Sequence, residues 1–130
     1  MSVMYKQLII AVSIFTVLTA CEDSNSQKAI KLEKTIFAIH DSVMPRMGEI
    51  VALRKSIEQL IELDSTTRSA DSLNITLKSV IKADRDMMDW MHQYKSPNMK
   101  SDTAIAYLTN ELKKIKKVEE QINGLLSEKP

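Results

Sequence analysis

One cysteine, two glycines and three prolines in 130 residues leave this chain few means to staple, loop or bend itself. With Cys21 as the sole cysteine no intramolecular disulfide can form, so the fold must rest on packing. Scarce glycine and the lack of any sustained period-two pattern argue against strands and hairpins. Aromatic residues make up only 5% of the chain, which leaves a core of aliphatic and methionine side chains. No glycine-rich phosphate loop, zinc-type cysteine pair or HExxH pattern is present. No internal repeat is evident either.

Charge of one sign is missing too. The whole chain carries 18 basic and 17 acidic residues. Loss of a leader containing Lys6 would leave 17 of each, a balance that offers nucleic acid no general attraction. The one dense basic stretch, Lys113-Lys114-Ile115-Lys116-Lys117, is followed by Glu119-Glu120 and reads as a solvated helix face.

What the chain does have is an address. Behind Lys6, residues Leu8 to Leu18 are almost wholly apolar, a length suited to a signal h-region and too short to span a bilayer. Leu18-Thr19-Ala20-Cys21 closes that run as a bacterial lipobox does. Residues 1–20 are therefore expected to be a cleaved lipoprotein signal peptide. Cys21 is the expected lipidation site, its thiol taking diacylglycerol and its freed amine a further acyl chain. Two or three chains hold firmly where one binds only reversibly, since each buried methylene contributes about 0.8 kcal/mol. The expected location is the cell envelope, the outer membrane ahead of the inner, with periplasmic side or cell surface left open. Glu22-Asp23 resembles a fragment of the acidic surface-export signal of some lipoproteins.

Residues 21–27 contain no apolar residue after Cys21 and read as a polar tether, with the helical domain spanning 28–130. From Lys28 the positions Ile36, Val43, Met47, Ile50, Ile57 and Ile61 recur at helical spacing and predict a first helix over 28–63. Pro45 has no N–H to give the Asp41 carbonyl, so a kink or a restart capped by Asp41 or Ser42 is expected there. Asp64-Ser65-Thr66-Thr67 reads as a turn, and Ser69 as the cap of a second helix over 69–96 ended by Pro97-Asn98. Its apolar residues, from Leu73 through Leu77, Val80, Ile81, Met87, Met88 and Met91 to Tyr94, cover about half the helix circumference, so it should touch two neighbours. Ile105, Leu108, Leu112, Ile115, Val118, Ile122 and Leu125 predict a third helix over 101–125, fraying near Gly124. The expected fold is all-α, an antiparallel three-helix bundle of long helices.

Two clusters stand out, His40 to Met47 on the first helix and Met87 to His92 on the second. They hold both histidines and five of the six methionines that follow Cys21. If the chain turns near residue 66, His40 comes level with His92 and Met44 with Met88. His40, Met44, Met47, Met88, Met91 and His92 could then converge as a thioether and imidazole set suited to Cu(I). Core packing is the simpler account, because methionine fills gaps and packs beside aromatics such as Trp90. Trp90 with Ala83, Met87 and Tyr94 lines a second edge, explained by packing on the third helix or by a partner-binding patch. Asp84 and Arg54 each interrupt an apolar face and read as snorkelling or paired residues. Without a second acid or a nucleophile at suitable spacing, neither makes a catalytic site, and no enzyme is expected.

The segment His40-Asp41-x-Val43-Met44-Pro45-x-Met47-Gly48, followed by Met87-Met88-x-Trp90-Met91, resembles a family of small helical lipoproteins of Bacteroidota-type bacteria, some labelled "viral A-type inclusion protein". The label reflects coiled-coil similarity and implies no viral role. The resemblance spans about residues 30 to 95 and implies an envelope location and a helical fold, with no ligand or catalytic residue. Membrane contact through N-terminal acyl chains and a possible envelope protein partner are the expected associations.

Overall fold

The computed structural model describes residues 24–63 and 68–127, with no strand among them. The expected leader, Cys21, the 64–67 turn and the side chain of Ser69 lie outside the described residues. The elements are α1 (Ser24–Val43), a 3-10 turn (Met44–Arg46), α2 (Met47–Leu63), α3 (Arg68–Gln93) and α4 (Ala104–Ser127). The protein is all-helical, with three long rods packed together, the first of them broken into α1 and α2. α1 packs chiefly on α4 and α2 on α3, while α3 also packs on α4, so the second rod has the two neighbours its wide apolar face requires.

A seven-residue repeat explains the first rod. Ala29, Ile36, Val43, Ile50 and Ile57 are each no more than 2% exposed, and this spacing continues straight through the break. Pro45 costs the helix one hydrogen bond, and the chain answers with a single tighter turn in which the Met47 N–H reaches the Met44 carbonyl. The expected side-chain cap is absent. Val43 stands at the cap position, and Ser42 Oγ instead donates to the Ile39 carbonyl at 2.7 Å while Asp41 turns to His40.

Helix boundaries differ from the sequence reading at the start of α1, the end of α3 and both ends of α4. α1 begins at Ser24 and absorbs Ser24–Gln27, expected to be tether, because Ser26 and Ala29 are buried and hold the first turns down. α3 stops at Gln93, three residues before position 96: the Lys95 N–H donates to the Tyr107 hydroxyl at 3.0 Å, and Pro97 disfavours helical geometry at Ser96. The connector is closed by the Asn98 side chain, which accepts the Lys100 N–H at 3.1 Å, and Ser101 Oγ accepts the Thr103 N–H, so α4 starts at Ala104 and not at 101. At its other end α4 runs through Gly124 without fraying, because Ile122 and Leu126 remain buried on either side.

Candidate functional site: an aromatic and thioether junction

Phe37, Trp90, Tyr94 and Tyr107, every aromatic residue after position 20, meet in one place. Phe37 packs edge-on against Tyr94 with centroids 5.4 Å apart, Trp90 lies 5.1 Å from Tyr94, and Tyr107 closes the row at 6.3 Å. Such pairs add about 0.5–1.5 kcal/mol each beyond the area they bury. The row ties α1, α3 and α4 together where α3 ends and α4 begins.

Polar groups at the junction are matched. Glu33 of α1 accepts from the Tyr94 hydroxyl at 2.8 Å and from Ser96 Oγ at 2.6 Å through the same oxygen. Burial, then the bond to the Glu33 carboxylate and its charge, push the Tyr94 phenol above its ordinary range. On the other side the Trp90 indole N–H donates to Glu111 at 3.1 Å, and Lys114 donates to the second oxygen of that carboxylate at 2.7 Å. Glu111 is only 4% exposed. It occupies the seam that Ala104, Leu108, Ile115, Val118 and Ile122 otherwise fill.

Sequence reasoning passed over both acids. Glu111 was legible: it stands three residues after Leu108 and four before Ile115, a seam position carrying a charge, and such a residue needs named partners. Glu33 gave no comparable signal, since its partners come from the α3–α4 connector.

Of the six residues expected to converge, two touch. His40 Nε2 lies 3.3 Å from the Met91 sulfur, its Nδ1 lies 3.0 Å from an Asp41 carboxylate oxygen, and its ring is tilted 37° to Trp90 at 5.8 Å. Met44 and Met47 are half-buried against the core, whereas Met88 is 43% exposed. His92 is exposed, and the bonds His40 makes go to Met91 and Asp41. The expected level was right to within a residue, but one residue turns a helical side chain by about 100°, which put Met91 in the place expected of His92. Met87, fully buried, belongs to the core.

Elsewhere, Arg54 bonds Glu58 at 2.8 Å and borders a groove with Ile50, Val51, Val80 and Asp84. Its guanidinium is raised by the Glu58 bond and charge and, more weakly, by Asp84. Lys113, Lys114, Lys116 and Lys117 are all exposed, consistent with a solvated face. Among the described residues no three His, Cys, Asp or Glu side chains gather as a metal cage, and no helix is long and apolar enough to cross a membrane. Compared with family models, curated proteins and solved structures, the chain matches none.

Proposed function

We propose that this protein is a lipid-anchored lipoprotein of the bacterial cell envelope, without enzymatic activity, whose antiparallel helical bundle serves a structural or protein-binding role at the membrane. The observation that carries the reading is Leu18-Thr19-Ala20-Cys21 at the end of an apolar run, followed within three positions by Ser24, where α1 begins. An acylated Cys21 would hold the bundle close to the bilayer, the outer membrane ahead of the inner. α1 offers Lys28, Lys31 and Lys34 to solvent in its first three turns, and lysines near an anionic leaflet contribute about 1 kcal/mol each.

A partner protein would find apolar surface at two levels. Phe37 and Met88 are 42% and 43% exposed beside the junction, and Leu60, Leu63 and Ile75 are exposed at the far end of α2 and α3. The helices leave grooves between them that suit another helix. Mass spectrometry of the mature protein should find an acylated N-terminus at Cys21, with palmitate labelling abolished by Cys21→Ser. A chain that retains residues 1–20, or labelling that survives the substitution, sinks the anchor. Crosslinking in intact cells should trap a defined envelope partner; capture of monomer alone counts against the binding role.

A further inference from the structure

We propose that His40 and Met91 form the nucleus of a soft-metal site for Cu(I), with the Met44 thioether as third donor. The Asp41 carboxylate only accepts hydrogen bonds, so the 3.0 Å contact with His40 places the proton on Nδ1. The other ring nitrogen, Nε2, stands 3.3 Å from the Met91 sulfur, a soft acceptor. Either a proton carried on Nε2 or a soft cation held between the two atoms joins them.

The donor chemistry selects among cations. Thioether and imidazole suit Cu(I), whereas magnesium and calcium require oxygen ligands. With bonds of about 2.0 Å to nitrogen and 2.3 Å to sulfur, the lengths found at zinc, the observed separation subtends about 100° at an ion. Opening toward trigonal geometry needs a further movement of only about 0.5 Å on the same lengths. Met44 stands one turn beyond His40 and half-buried, on the same face of the rod. The bond to Asp41 fixes the tautomer and orientation of His40, as an outer partner does for a metal-bound histidine. Trp90, beside the same ring, provides an aromatic face and an optical reporter. The side chain of His40 is 21% exposed, so an ion can reach it from solvent. His92 and Met88 lie outside this set, and the site does not depend on acylation of Cys21.

The full chain in detergent, titrated anaerobically with Cu(I) against bicinchoninate, should retain one equivalent and lose Trp90 emission as it does so. Met91→Leu and Met44→Leu nearly conserve volume and should each weaken retention by about tenfold or more, with His92→Gln unchanged. If the chelator keeps all the copper, the proton alone occupies Nε2 and the proposal is overturned. It is equally overturned if Zn(II) displaces Cu(I) at equal concentration, or if His92→Gln weakens retention as much as Met91→Leu. Far-UV circular dichroism checks that each variant stays helical, and the wild-type titration depends on no variant.

Discussion

The junction of α1, α3 and α4 and the far end of α2 and α3 are built from the same kinds of helix and held by different forces. At the junction, side chains distant in sequence bond each other: Glu33 with Tyr94 and Ser96, His40 with Met91, and Trp90 with Glu111, while the Lys95 backbone N–H donates to the Tyr107 hydroxyl. Away from the junction, Arg46 also reaches Asn123 near the end of α4. In α2 and the first half of α3, the side-chain bonds described span three or four residues: Arg46 to Glu49, Arg54 to Glu58, Ser56 to Ala52, Asn74 to Ala70, Thr76 to Ser72 and Ser79 to Ile75. Bonds of that kind stabilise a helix and say nothing about its neighbour. The far end relies chiefly on apolar burial, with the Asp84 charge acting weakly on Arg54 across the helices, and leaves Leu63 84% and Ile75 67% exposed. Directional bonds set which helix lies where, and burial sets how firmly.

The largest test of this contrast is Trp90→Ala. It removes a 6%-exposed ring from the row and strips the indole donor from a buried carboxylate, so a loss of about 3–5 kcal/mol or more is expected in denaturant unfolding. Trp90→Phe keeps most of the packing and should cost about 1–3 kcal/mol, the share belonging to the Glu111 oxygen that loses its donor while Lys114 still holds the other. A loss for Phe equal to that for Ala would mean that packing contributes little at the junction.

Next comes truncation at matched chemistry. Ile36→Ala, from a position with 0% exposure, should cost about 2–5 kcal/mol, while Leu60→Ala, already 44% exposed, should cost under about 1 kcal/mol. Equal losses would erase the difference between the two regions. Hydrogen exchange offers a view without mutation: amides of residues 58–63 and 70–75 should exchange faster than those of 86–93, since the side-chain bonds described there are local. Uniform protection would contradict that.

The smallest effect is in alkali. The folded Tyr94 phenol is raised above its unfolded value of about 10, so its contribution is fully present below that pH and declines as pH climbs toward the higher folded value. Tyr94→Phe should therefore flatten the loss of stability above about pH 10. An unchanged alkaline limb would remove Tyr94 as its source.

Much of the fold was legible because helical periodicity is a local property. The heptad from Ala29 to Ile57, the break at Pro45 and the seam of α4 all follow from residue spacing. Boundaries were less so. Ser24–Gln27 is polar in composition and helical in fact, because the burial of Ser26 depends on what packs over it. The site divided in the same way. Pairing of His40 with the Met87–His92 segment followed from the turn, but the choice of Met91 over His92 is a matter of rotation about the helix axis. A spacing argument fixes height along a rod far better than direction around it.

By itself the amino-acid order determined that this protein is helical, without an intramolecular disulfide and close to neutral, since each of these is a property of neighbouring residues or of composition. Only the tertiary structure decided that four aromatic rings share one junction, that Glu33 and Glu111 are matched across helices, and that the His40 imidazole meets the Met91 thioether. All of those contacts except Trp90–Tyr94 join residues 13 to 63 positions apart, and at such separations it is the packing of rods, not the local chain, that chooses which side chains meet.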